Sequence, residues 1–358
     1  MTQQPDKVSE EILKLQTKIK GAGLPSPLLE KLNEDLSRLS QAQNSSLFAQ
    51  ANEQLSHYLD WVTNLPWNRR SDDILDLDFA KKVLDKNHYG LSQIKERVLE
   101  YLAVMKQRQG KGMTQESVSL KFMRAPILCF VGLVGTGKTT IAYSIAEAMG
   151  RKLERIPFGG MGDPLYLRGQ SRVHPESEPG QVIKALRRGG TKNPVILLDE
   201  IDRVVEQSRA TIMGVLVELL DPEQNMAFND HYIDYPFDLS EALFIVTCNN
   251  TTSISTAVMD RLEPIQMPSY SDEEKTIIAK KYVLPKMMEE SGLTPSNLSI
   301  AESVWPKIVR PLGYDAGIRT LERTINGICR KVAKLIVEKR GVEFHLTEEN
   351  IKEFLPTW

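Results

Sequence analysis

Leu28, Leu32, Leu36 and Leu39 recur at steps of three and four, which sets them along one face of a helix. The same periodicity runs from Val8 to about Asp60. It breaks where Pro25 and Pro27 follow Gly21 and Gly23, and again across the Gln-, Asn- and Ser-rich stretch from Gln41 to Ser46. Leu55, Tyr58, Leu59 and Val62 continue it in a helix that should stop before Pro66. Two further helices are predicted over Leu75 to Leu84 and Ile94 to Met105, around a turn at His88-Tyr89-Gly90. Gln107 to Gln115 is polar, holds Gly110 and Gly112, and reads as a linker or loop.

From Pro126 to about Met267 short apolar runs alternate with helical patterns. The predicted strands are Ile127–Val131, Arg155–Pro157, Val195–Leu198, Leu243–Thr247 and Glu263–Met267. Apolar strands alternating with helices argue for an α/β fold with a parallel sheet covered on both faces. After Pro268 the strand signals stop. Asp272 to Met288 reads as one helix. Ile318, Leu321, Ile325, Ile328, Val332 and Leu335 form the stripe of another, so this last part is expected to be a small helical domain.

Bulk chemistry narrows the possibilities without choosing among them. Lys and Arg total 45 against 47 Asp and Glu, a net charge of -2, so nothing draws the whole chain to nucleic acid or an anionic membrane. The three cysteines, Cys129, Cys248 and Cys329, lie far apart with no CxxC pair, which argues against a disulfide framework or zinc site and fits a reducing compartment. Met1 to Glu11 is polar and no run of about 20 apolar residues exists. A cytoplasmic or organelle-matrix location is therefore expected, with no secretory signal and no membrane span.

The sharpest chemistry is Gly132-Leu-Val-Gly135-Thr136-Gly137-Lys138-Thr139, a full match to G-x-x-x-x-G-K-[ST] between an apolar strand and a helix, the context that motif needs. Its glycines let main-chain N–H groups turn toward phosphate oxygens, and the helix N-terminus adds partial positive charge. Lys138 is expected to reach the β- and γ-phosphates and Thr139 to ligate Mg²⁺. About sixty residues on, Val195-Ile-Leu-Leu198 ends in Asp199-Glu200. Asp199 suits the metal shell and Glu200 the orientation and deprotonation of an attacking water. A third apolar strand ends in Cys248-Asn249-Asn250, where Asn249 could hydrogen-bond the γ-phosphate and the water or simply open a turn. Arg261, before the last strand, and Arg319, opening the long helix of the small domain, are surface residues by default and gain weight only from position.

Taken together, this order of strand, P-loop, Asp-Glu strand, polar strand end and two arginines resembles the AAA+ ATPases, and the detail is closer to the Lon protease family. Asn64-Leu-Pro-Trp67, His88-Tyr-Gly90 and Glu100-Tyr-Leu-Ala-Val104 resemble the segment before Lon's P-loop. Gly190-Thr-Lys-Asn-Pro194, Leu220-Asp-Pro-Glu-Gln-Asn225, Asp230-His-Tyr232 and Pro236-Phe-Asp-Leu-Ser240 resemble its AAA+ core. Ala316-Gly-Ile-Arg-Thr-Leu-Glu-Arg323 and Ile328-Cys-Arg-Lys331 resemble its lid. The resemblance runs from about Glu10 to the end. It implies a helical neck over 1–85, an AAA+ nucleotide-binding domain over 86–268 and a helical lid over 269–358. It makes Lys138 and Thr139 Walker A residues, Asp199 and Glu200 Walker B, Asn249 sensor 1, Arg261 the arginine finger and Arg319 sensor 2. The nucleotide-contacting set it implies is Gly132, Gly135, Thr136, Gly137, Lys138, Thr139 and Thr140, with Tyr89 and Arg319. ATP or ADP and Mg²⁺ are the expected ligands, and the family implies a hexameric homo-oligomer that threads unfolded protein substrates.

Three departures qualify that expectation. The chain ends at Trp358, which leaves no room for Lon's serine–lysine peptidase domain, so this chain alone is expected to cleave nothing and a separate peptidase is a conceivable partner. Where Lon carries an aromatic-aliphatic pair before glycine in its pore loop, this chain has His174-Pro175-Glu176 after Arg168-Gly-Gln-Ser-Arg172. Where Arg-Gly-Asp-Pro often follows Walker B, it has Arg209-Ala-Thr-Ile212. The leading expectation is an ATPase motor for protein unfolding. A nucleotide-gated scaffold with a weakened pore loop competes with it, and a DNA-handling AAA+ protein is disfavoured by the charge balance.

Overall fold

Consecutive residues of a strand point to opposite faces of a sheet, so a strand apolar at every position must be covered on both sides. The computed structural model, which describes residues 4–41, 48–110, 127–174, 176–310 and 317–356, shows how this chain provides both covers. Three helices come first: α1 (Gln4–Gly21), α2 (Ser26–Gln41) and α3 (Phe48–Asn64). The leucine stripe of α2 is buried, and α3 stops at Asn64, two residues before Pro66. Next come α4 (Leu77–Asn87) and α5 (Ser92–Gly110). Asp76 caps α4 by accepting from the N–H groups of Asp78 and Phe79. The expected linker from Gln107 to Gln115 is helical as far as Gly110, and its remainder lies outside the described residues.

The sheet domain follows as β1 (Ile127–Val131), α6 (Lys138–Met149), β2 (Leu153–Pro157), α7 (Leu165–Arg168), α8 (Gln181–Gly189), β3 (Val195–Asp199) and α9 (Arg209–Leu220). It continues with β4 (Phe228–Asn229), β5 (Pro236–Phe237), β6 (Leu243–Cys248), α10 (Thr256–Met259) and β7 (Leu262–Gln266). Five parallel strands pair in the order β2-β3-β6-β1-β7, and β4 and β5 form a short antiparallel pair that the sequence pattern did not signal. Alternation sorts the strand residues into two cores. Cys129, Val131, Ile196, Leu198, Phe244 and Val246 face one core, which also takes in Leu28, Leu32, Tyr58 and Leu59 of the N-terminal helices. Leu128, Phe130, Val195, Leu197 and Ile245 face the other, with Ala80, Val83 and Leu84 of α4, Val98 of α5 and Ile141 and Ile145 of α6. Residue 85, where the neck was expected to end, thus falls inside a helix that packs with the α/β core.

The C-terminal part has a third core around Trp305, Ile308, Leu321, Ile325, Ile328 and Val332. It holds α11 (Asp272–Ile278), α12 (Leu284–Glu290), β8 (Leu298–Ile300), α13 (Trp305–Val309), α14 (Arg319–Val337), β9 (Phe344–Leu346) and α15 (Ile351–Phe354). A capping box between Ser271 and Glu274 starts α11. The expected single helix from Asp272 to Met288 is continuous but contains a π-helical turn over Ala279–Val283. Pro285 lies just beyond; it lacks an N–H and crowds the carbonyl four residues back, and the wider turn accommodates it. The expectation that strands cease after Pro268 needs correction, because β8 and β9 pair in parallel. At three residues each they are too short to show a period.

Candidate functional site

Strand order, not chain order, assembles the site. β6 lies between β1 and β3, so the turn after β1, the end of β6 and the end of β3 meet at one edge of the sheet. Val131 is level with Cys248, and Leu198 with Val246, so the polar residues that follow each apolar run stand side by side.

The loop after β1 leads into α6, whose first residue is Lys138. Gly135 and Gly137 have φ of 84° and 97°, the left-handed region where a side chain is strained. Gly137 is the N-cap of α6 and has no side chain to cap it, which leaves the first N–H groups of the helix as donors at the loop. This is an anion cradle in form, and a phosphate group fits it. Lys138 Nζ is buried and folded back into the loop. It donates to the carbonyls of Gly132 at 2.6 Å and Leu133 at 2.9 Å, and to Asn249 Oδ1 at 3.1 Å. Burial lowers its pKa, with Glu200, Asp199 and Asp202 opposing that shift. Thr136 Oγ1 donates to the Leu133 carbonyl and Thr140 Oγ1 to that of Gly137, so both hydroxyls brace the turn.

Across the edge, Asp199 is 3% exposed. Its Oδ2 receives Arg155 Nε at 2.7 Å, and its Oδ1 receives the Thr247 hydroxyl in a short bond and Thr139 Oγ1 at 3.4 Å. Thr247 Oγ1 in turn accepts from the Glu200 N–H at 2.9 Å. Glu200 has φ of 59°, a left-handed conformation that costs a non-glycine residue about 1–2 kcal/mol. Asn249 spans the remaining gap, accepting from Lys138 and donating to Asp202 Oδ2 at 3.3 Å. Thr139 and Asp199 thus present hard oxygen donors side by side, the chemistry Mg²⁺ takes when phosphates and water complete its shell.

The lid reaches this edge directly. Ile318 N–H donates to the Gly135 carbonyl at 3.0 Å, and Tyr270 OH to the Thr136 carbonyl at 3.3 Å. A Cβ on Gly317 would stand 2.4 Å from the Gly135 carbonyl carbon, so only glycine allows the approach. Arg319 follows at once, exposed, with its Cβ 3.4 Å from where a Gly135 Cβ would lie. Tyr89 packs against the lid core from the α4–α5 turn.

Two groups of candidate residues lie elsewhere. Arg261 donates through Nη1 to the Ala257 carbonyl at 2.8 Å and through Nη2 to Asp221 Oδ2 at 2.6 Å. His174 and Glu176 sit on an exposed loop and line a cavity of about 1050 Å³ shared with α2 and α3; Pro175 lies outside the described residues. Arg172 stacks there on the Tyr58 ring, 3.7 Å from its centroid. Sequence reasoning missed Thr247, Arg155, Asp202 and Asp221. A polar residue ending an otherwise apolar strand was the one available signal, for Thr247. No described helix is long and apolar enough to cross a membrane.

Comparison with known proteins adds independent findings. Residues 128–270 match the family model of the ATPase family associated with various cellular activities (AAA), and residues 289–344 that of the Lon protease AAA+ ATPase lid domain. The chain is 43% identical to the Lon protease of Lawsonia intracellularis over 346 residues, which is 97% of this chain and 40% of that protein. It is 40% identical to Lon protease 2 of Thermus thermophilus over 346 residues, covering 97% of this chain and 43% of that protein. The Lon protease of Elusimicrobium minutum is 42% identical over 352 residues, covering 98% and 41% respectively. The chain thus spans about two fifths of the length of these relatives.

Proposed function

The chain belongs to the AAA+ ATPases, as a module of the Lon protease family, and on that premise we propose that it hydrolyses Mg-ATP at the edge formed by β1, β6 and β3. The observation that carries this reading is the convergence of Lys138, Thr139, Asp199, Glu200 and Asn249 from three separate strand ends. The glycine turn and the uncapped start of α6 bind the phosphates, and the Lys138 ammonium leaves its loop carbonyls to meet them. Thr139 and Asp199 would hold Mg²⁺, which when bound neutralises charge developing on the phosphate oxygens. Asn249 and the Glu200 carboxylate orient a water, and Glu200 takes its proton. Arg319, Gly317 and Ile318 carry the state of the loop to the lid through the main-chain contact with Gly135. Arg261 serves the nucleotide of a neighbouring subunit in a ring, and the product is work on an unfolded protein substrate.

Two variants test the site. Lys138→Ala should abolish nucleotide binding. Glu200→Gln should retain binding, measured with a fluorescent nucleotide, and lose turnover by roughly 100-fold or more. A Glu200→Gln protein that hydrolyses ATP at the parental rate would remove Glu200 from the mechanism.

A nucleotide-gated assembly that does not pull is the second reading, and the exposed, polar His174 and Glu176 are what favour it. ATPase measured with and without an unfolded protein separates the two, because only the motor should be stimulated.

A further inference from the structure

Arg261 is held by its own chain. Its side chain is mostly covered, and its guanidinium is gripped at two points from different elements: the Ala257 carbonyl of α10 and the Asp221 carboxylate at the end of α9. Its Nε is buried without a partner among the described residues. Asp221 is itself immobilised. It is 7% exposed, its Oδ1 accepts from the Glu223 N–H at 2.9 Å, and its carbonyl accepts from the N–H groups of Gln224 and Asn225. A carboxylate fixed by its own turn and paired to a guanidinium in a poorly solvated place fixes both rotamer and charge. Those two bonds commit one donor on each terminal nitrogen, and each of those nitrogens has a second N–H.

We propose that Asp221 is a positioning residue for Arg261, presenting the guanidinium at the subunit edge so that its remaining N–H groups meet the phosphate bound by the next subunit. This rests on the reading of Arg261 as acting in trans. An unheld arginine would sample many rotamers and would have to be ordered during each turnover; Asp221 orders it beforehand.

Asp221→Asn is the direct test. It keeps the oxygen that accepts from Glu223, removes the charge and turns an N–H₂ toward the guanidinium. With assembly confirmed by size, kcat should fall about tenfold while KM for ATP is unchanged, since every cis contact to the nucleotide survives. The Asp221→Asn/Arg261→Ala double variant should be no slower than Arg261→Ala, because both changes remove one function. Mixing Asp221→Asn with Lys138→Ala subunits should recover activity, as the Lys138→Ala subunit supplies an intact, positioned arginine. A merely structural Asp221 would lower activity additively and would not be rescued by mixing, and either result overturns the proposal. So does Asp221→Asn with parental kcat beside an inactive Arg261→Ala. If Arg261→Ala itself turns over normally, it is the trans reading that fails. Should Asp221→Asn not fold, Asp221→Ser, which retains an acceptor for Glu223 and drops the outer oxygen, carries the same expectations.

Discussion

Asp199 is 3% exposed and is met by Arg155, Thr247 and Thr139. Val173, next to His174 on the loop under the neck, is 87% exposed. The first region is built from strand ends whose neighbours are set by sheet register, and its polar groups are oriented by bonds to one another. The second is closed at its base, where Gln170 N–H bonds the Glu178 carbonyl and the buried Asp230 carboxylate takes the Gly180 N–H. Beyond that base it is steadied by the stacking of Arg172 on Tyr58 and by local turns such as His174 N–H to the Ser171 carbonyl. Sensitivity to substitution should follow that division. Preorganised groups lose function when one bond is removed. A loop held mainly at its base tolerates exchange and changes only what it touches.

The sharpest way to break the ordered region leaves every named phosphate and metal residue in place. Thr247→Val keeps the shape and deletes the hydroxyl that serves both Asp199 and the Glu200 N–H. A half-buried N–H without an acceptor and a buried carboxylate short of a donor should cost about 1–3 kcal/mol of stability. Turnover should fall at least about tenfold, because Glu200 is no longer held in its left-handed turn. Steady-state ATPase and thermal melting check both, and unchanged values would mean that the register alone positions Glu200.

That Thr247 needed a structure to find, while Lys138 did not, marks how far the sequence can be read. Lys138, Thr139, Asp199 and Glu200 sit in contiguous strings whose chemistry depends on local backbone geometry, and each apolar run before them was plain. Thr247 and Arg155 matter because β6 and β2 flank β3, an order the chain does not spell out. Asp221 and Arg261 are joined across two helices for the same reason. The N-terminal leucine stripe announced a helix but not that its core would merge with one face of the sheet. The β8–β9 pair and the π turn escaped because three residues, or one displaced proline, leave no periodic trace.

A smaller effect depends on pH. His88 lies at the end of α4 against α6, 7% exposed, with Nε2 2.8 Å from Ser144 Oγ. Burial, aided by Lys95, pushes its pKa down from 6.5 to about 4. Between those values the unfolded chain holds the proton that the folded chain refuses, so stability is full above about pH 7 and falls as the pH drops through that window. The loss should reach about 2 kcal/mol at pH 5. Denaturant unfolding at pH 8 and pH 5 measures it, and His88→Gln should flatten the difference by that amount.

The smallest effect on ATP turnover should come from the loop itself. A loop that grips a moving chain needs an apolar, preferably aromatic, side chain at its tip and a backbone free to follow. Here the exposed Val173 is aliphatic and small, and the residues after it offer an imidazole and a carboxylate that must stay hydrated, with no aromatic ring. Glu176 also holds φ at 61°, so glycine at that position would relieve about 1 kcal/mol of backbone strain instead of creating it. Replacing His174-Pro175-Glu176 with Tyr-Ile-Gly therefore adds a gripping surface while easing the turn. Among the described residues, none of the hydrogen bonds to Asp199, Lys138 or Glu200 involves this loop, so basal ATPase should stay within about twofold. Unfolding of a stable tagged protein, followed by loss of its fluorescence, should rise by more than the ATPase does. Brisk unfolding by the parental chain with no gain from the replacement would show that another surface holds the substrate, and the contrast between the two regions would then be one of order alone, with no consequence for grip.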